Sequence, residues 1–135
     1  MKKEVIIRSI TDVFEKEPHV AAVFLFGSMI RMTGPEPGDI DIAVLYHPAH
    51  VPDERHRYEL QEQLAMHLPY PVDLVVLNTA SPILWMQILK KSQIILNREH
   101  TILRDFMMRI PSMYEDVKIV RRPIEKKIYA GARHD

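Results

Sequence analysis

The chain has 135 residues, with 18 basic and 18 acidic side chains and a formal net charge of +0, so no whole-molecule charge argues for nucleic acid or a membrane surface. It has no cysteine, which excludes a disulfide framework and thiolate metal sites and fits a cytoplasmic protein. With 47% hydrophobic residues one compact domain with a real core is expected. No apolar run approaches the ~20 residues that span a bilayer, and Met1-Lys2-Lys3-Glu4 lacks the apolar stretch of a signal peptide.

From Lys3 to Glu17, Ile6, Ile10, Val13 and Phe14 recur at helical spacing, predicting an amphipathic helix that Pro18 ends. Val20 to Phe26 is short, apolar and rich in β-formers, a buried strand. Gly27-Ser28 turns out of it, and Ser28 to Met32 suits a short helix. Thr33 to Gly38 holds two Pro and two Gly, a loop, and Ile40 to Leu45 reads as a second strand. Pro52 to Leu68 predicts a long helix with Pro52 in its first turn and Leu60, Leu64 and Leu68 along one face. Val72 to Leu77 is a third strand. Ser81-Pro82 starts a helix over Ile83 to Lys91, Gln93 to Leu96 is a fourth strand, and the chain is helical again from Thr101. Pro111 should kink that last helix, Pro123 should end regular structure, and the tail after Tyr129 should fray. Alternating helices and strands argue an α/β (α+β) domain: a small sheet backed by helices, with strand directions unreadable. Residues 1–98 form the core, and 99–135 a C-terminal helical extension and tail of the same domain.

The chemistry concentrates between Phe24 and Leu45. Side chains alternate faces on a strand, so Asp39 and Asp41 share one face while Ile40 and Ile42 take the other. Two carboxylates this close repel unless a cation sits between them. Magnesium or manganese is the natural answer, since both prefer oxygen ligands. Asp73 lies near the start of another apolar strand. If that strand pairs beside Asp41, three carboxylates converge at one end of the sheet. Gly27 lets backbone approach a phosphate, and the amides that follow, with the Ser28 hydroxyl, suit phosphate oxygens. Taken singly, a Gly-Ser after a strand is usually a turn, an Asp-x-Asp is usually solvated and Asp73 would simply cap a strand. The conjunction of all three is much more specific.

Gly27-Ser28, ten residues and then Asp39-x-Asp41 resembles the signature of minimal nucleotidyltransferases in the DNA polymerase β-like superfamily. The likeness runs from about Val20 to Leu96. Within the superfamily the chain looks most like the MNT antitoxins of HEPN–MNT toxin–antitoxin pairs, and the Ser112-Met113-Tyr114 segment is similar as well. The resemblance implies a nucleotidyltransferase fold with a small mixed sheet. Asp39 and Asp41 would bind two Mg2+ (or Mn2+) ions. Asp73 would complete one metal site and help deprotonate the attacking hydroxyl. Gly27 and Ser28 would hold the β- and γ-phosphates of ATP, and Arg31 would help bind the triphosphate. The family's antitoxins transfer AMP from ATP to a tyrosine of the partner HEPN ribonuclease toxin, which silences it. One departure is Gly38, where relatives usually have Ser; it removes no metal ligand.

Two other functions compete. A nucleotidyltransferase acting on a small molecule would need an acceptor pocket, for which this length leaves no second domain. A non-catalytic antitoxin would mask its partner by binding, chiefly through its C-terminal helix. Among the remaining features, His47, His50, His56 and His67 read as surface residues, and Trp85 and Phe106 as core. Met107, Met108 and Met113 suit either packing or an adaptable partner surface, so a homo-oligomer stays open. Lys118, Arg121, Arg122, Lys126 and Lys127 read as a solvated end. No direct nucleic-acid binding and no membrane contact are expected.

Overall fold

The computed structural model describes residues 2–27 and 38–109. Its elements are α1 (Lys3–Glu15), β1 (Val20–Phe26), β2 (Ile40–Tyr46), α2 (Glu54–His67), β3 (Val72–Val76), α3 (Pro82–Lys90), β4 (Ser92–Asn97) and α4 (His100–Arg109). The expectations for Ser28 to Pro37 and for Ile110 onward, including Pro111, Met113 and the basic end, lie outside the described residues. So does most of the proposed 99–135 extension, of which α4 is the described part.

All eight elements fall within a few residues of where the sequence pattern puts them. One boundary moves for a clear local reason: α2 begins at Glu54, and Pro52 stays outside it. The Asp53 carboxylate accepts the His56 N–H at 2.8 Å, which makes Asp53 the N-cap. At α3 the expected start holds: Ser81 Oγ accepts the Leu84 N–H at 3.2 Å and Pro82 occupies the first turn. The third strand is shorter than its apolar run, because Leu77–Thr79 curls into a 3-10 turn. There the Asn78 side chain replaces the missing strand. Its Oδ1 accepts the Tyr46 N–H and its Nδ2 donates to the Tyr46 carbonyl, both at 2.9 Å.

The four strands form one mixed sheet in the order β3-β2-β1-β4. β2 and β3 are parallel and are joined through α2, while β1 runs antiparallel to both β2 and β4. Strand alternation sorts the core into two layers. On one face Val23, Leu25, Ile40, Ile42, Val44 and Leu74 pack against α1 and α2 through Ile6, Ile10, Phe14, Leu60 and Leu64. On the other, Phe24, Ala43 and Leu45 pack against α3 and α4 through Trp85, Ile88, Leu89, Leu103 and Met107. Each large apolar side chain fully buried this way contributes about 1.5–3 kcal/mol. Trp85 anchors the second layer. Its indole N–H donates to the Leu77 carbonyl at 2.9 Å, and its ring meets Phe24 edge-on and lies against Phe106. Met107 is buried and Met108 half exposed, so the methionine pair divides between packing and surface.

Candidate active site

Asp39 and Asp41 stand at the entrance of β2, and Asp73 one residue into β3. Because β2 and β3 run parallel with Asp41 opposite Asp73, the two carboxylates are direct neighbours across the ladder. Both lie on the face of Ala43, Leu45 and Leu77, whereas Ile40, Ile42 and Leu74 face the α1/α2 layer. The alternation expected from the sequence therefore holds for Ile40, Asp41 and Ile42, and Asp41 and Asp73 lie on the α3/α4 face of the sheet at its open end. Asp39 and Asp73 are exposed, and Asp41 is half-buried.

The Asp41 carboxyl is pushed above the ordinary carboxylate range, first by burial, then by Asp73, then by Asp39. Every one of these influences opposes its ionisation.

The antiparallel pairing of β1 puts Phe26 opposite Asp41, so the chain leaves β1 beside that carboxylate. Gly27 there adopts φ +73°, a conformation in which an L side chain is strained. A Cβ at this position would overlap Asp41 Oδ2 and lie 3.0 Å from its Cγ. Only glycine allows the turn and the carboxylate to touch. Ser28 and Arg31 lie outside the described residues.

Metal ions are implied by the chemistry of this donor set: three carboxylates with no other ligand type, one of them held in a form that resists its own charge. A hard divalent cation fits such residues. Among the described residues no group of three or more His, Asp or Glu side chains already converges to hold an ion. What stands ready is the backbone arrangement, with Asp41 and Asp73 in register and Gly27 against Asp41.

The family model described as polymerase beta nucleotidyltransferase matches residues 8–101, a span that contains Gly27 and all three aspartates. The chain belongs to that nucleotidyltransferase family. Among its relatives is the protein adenylyltransferase MntA of Shewanella oneidensis, 33% identical over 114 residues, covering 84% of this chain and 80% of that protein. A solved structure of a tri-AMPylated Shewanella oneidensis HEPN toxin in complex with an MNT antitoxin superposes with a TM-score of 0.69 at 28% identity, over 95% of this chain and 99% of that one. A toxin–antitoxin structure with AMP-PNP gives a TM-score of 0.67 at 30% identity, over 96% of this chain and 99% of that one. The resemblance drawn from Gly27-Ser28 and Asp39-x-Asp41 is thus borne out for family and fold, and the nucleotidyltransferase is an enzyme of the α+β class. No helix among its described residues is long and apolar enough to cross a membrane.

Two side chains near the site escape the sequence pattern. Arg57 and Gln61 of α2 reach the outer edge of β3 at Leu74, the residue after Asp73. Their i,i+4 spacing on a polar helix face reads as solvent-facing, and only the placement of β3 beside α2, with Leu74 against both side chains, gives it another meaning.

Proposed function

We propose that this nucleotidyltransferase is an antitoxin that transfers AMP from ATP to a tyrosine hydroxyl of a partner HEPN-type ribonuclease toxin. The observation that carries the reading is the contact between Gly27 and Asp41 with Asp73 in register beside it. It puts a turn suited to phosphate against carboxylates suited to cations. The relatives named as a protein adenylyltransferase and as an MNT antitoxin bound to an AMPylated toxin support the choice of acceptor class.

Asp39, Asp41 and Asp73 would hold two Mg2+ or Mn2+ ions, which when bound supply positive charge for the triphosphate and for the oxygens that attack and leave. The backbone at Gly27, with Ser28, holds the β- and γ-phosphates, and Arg31 adds a cation to the same tail. The acceptor oxygen attacks the α-phosphorus, the bond to the β-phosphate oxygen breaks, and pyrophosphate leaves. Asp73, exposed and in register beside Asp41, takes the proton of the attacking hydroxyl. Catalysis rests on positioning and charge stabilisation, as in phosphoryl transfer generally.

The test is incubation of the protein with ATP, Mg2+ and a HEPN-type partner, followed by intact-mass spectrometry. Adenylyl additions on a partner tyrosine, abolished by Asp41→Asn, are the expected result. Neutralisation of the partner with no mass change, persisting when all three aspartates are replaced, would move the reading to masking by binding. Modification of a small molecule by the protein alone would move it to the other alternative.

A further inference from the structure

Among the described residues β3 is an edge strand, paired with β2 on one side only. Its Leu74 directs both backbone polar groups away from β2, toward α2. There Gln61 Oε1 accepts the Leu74 N–H at 2.9 Å, and Arg57 Nη1 donates to the Leu74 carbonyl at 3.0 Å. The two side chains are tied to one another, because Arg57 Nη1 also donates to Gln61 Oε1 at 3.0 Å. Glu54 fixes the guanidinium from behind, accepting from Nε at 2.8 Å with both carboxylate oxygens. The Arg57 side chain is only 20% exposed while Glu54 is 78% exposed, so the working end of the guanidinium lies inward at the strand. Together the pair occupies the hydrogen-bonding positions that another strand would take.

Register matters here more than elsewhere in the sheet. A slip of one residue along β3 would exchange its faces. Leu74 would leave the α1/α2 core and Asp73 would turn away from Asp41. An edge strand of five residues has only one ladder to resist this.

The geometry points to Arg57 and Gln61 as positioning residues for Asp73: by clamping both backbone groups of Leu74 from α2, they hold the third carboxylate in register with Asp41. Neither residue touches the reacting atoms; they act through the strand. The inference deepens the proposed reading of the site, on which it rests.

The deciding variant is Gln61→Leu, of similar size but with no acceptor. It is read on the protein without turnover, by hydrogen exchange of the Leu74 amide and by Mn2+ affinity in the presence of a non-hydrolysable ATP analogue. Faster Leu74 exchange is expected, with Mn2+ affinity weakened about 10–100-fold, the range for groups that orient metal ligands. Gln61→Glu keeps the acceptor and should restore both. In an Asp73→Asn background, Gln61→Leu should cost no further Mn2+ affinity, because a clamp that acts through Asp73 has nothing left to position.

Unchanged Mn2+ affinity in Gln61→Leu, or an equal loss with and without Asp73, overturns the inference. Should Gln61→Leu fail to fold, Arg57→Met, which removes the donor to the Leu74 carbonyl, is put through the same cycle and judged by the same outcomes. The two readings fail separately. Mn2+ binding that depends on Asp73, with no adenylyl transfer, defeats the proposed function and leaves the clamp standing. Transfer with Mn2+ affinity indifferent to Asp73→Asn defeats the clamp and removes Asp73 from the metal site, while the assignment of adenylyl transfer stands.

Discussion

The two ends of β2 are built on opposite principles. At its far end Tyr46 and its neighbours satisfy one another. Asn78 bonds both backbone groups of Tyr46, the Tyr46 hydroxyl donates to Glu17 at 3.4 Å, and Glu17 also pairs with His56. Arg98 closes the end of α1 by donating to the carbonyls of Phe14 at 2.9 Å and Glu17 at 3.2 Å. At the near end Asp41 meets burial and two like charges, all of which resist its ionisation. A domain gains nothing in stability from such an arrangement. One end of the sheet is organised for folding, and the other is left electrostatically strained, where a bound cation and triphosphate would relieve it.

The contrast is tested first where it should be largest. Asp41→Asn is expected to lower adenylyl transfer by at least about 100–1000-fold while raising the melting temperature of the metal-free protein at neutral pH. The sign follows from linkage. A carboxyl whose native pKa is raised binds its proton more tightly when folded, so its ionisation costs stability progressively as pH rises from its ordinary value through the raised one. Asn removes that cost. A melting temperature that falls in Asp41→Asn, measured by calorimetry with chelator present, would erase the distinction between the two ends.

Gly27→Ala comes next, because it damages the site and the fold together. The added methyl overlaps the Asp41 carboxyl at a backbone φ of +73°, and the conformation alone costs about 1–2 kcal/mol. Denaturant unfolding should show that loss, and transfer measured on the folded fraction should fall as well.

Asn78→Ala probes the satisfied end. Leaving the Tyr46 N–H and carbonyl without their partner should destabilise the protein by about 1–3 kcal/mol, with transfer per folded molecule unchanged. A specific loss of transfer would mean that the two ends are coupled.

The smallest effect belongs to the Glu17–His56 pair. Glu17 raises the His56 pKa above its ordinary 6.5, so the pair's stabilisation is full below about that pH and fades as pH rises through the raised value. His56 is nearly half exposed, which limits the effect to about 1 kcal/mol or less. Melting curves of wild type and Glu17→Gln should converge at alkaline pH.

How much of this was legible before the fold depends on the kind of signal. The helices and strands were readable because Ile6, Ile10 and Phe14, or Ile40, Ile42 and Val44, carry a plain period of burial. The family was readable because Gly27-Ser28 and Asp39-x-Asp41 sit at a fixed distance along the chain. Strand direction was not, since nothing local to Asp73 says that β3 runs parallel to β2 and brings it opposite Asp41. The overlap of a Gly27 Cβ with Asp41 also belongs to tertiary placement, as does the reach of Arg57 and Gln61 to Leu74. The start of α2 turned on a competition between Pro52 and Asp53, which the Asp53 cap decided.

The central claim is that Asp39, Asp41 and Asp73 grip cations that in turn hold a triphosphate against Gly27. A crystal structure grown with Mn2+ and a non-hydrolysable ATP analogue tests it most directly, through the anomalous signal of the metal. Two manganese peaks bonded to those carboxylates, with the triphosphate on the Gly27 backbone, are the predicted result. Manganese or triphosphate bound elsewhere, with the three carboxylates left empty, would contradict it.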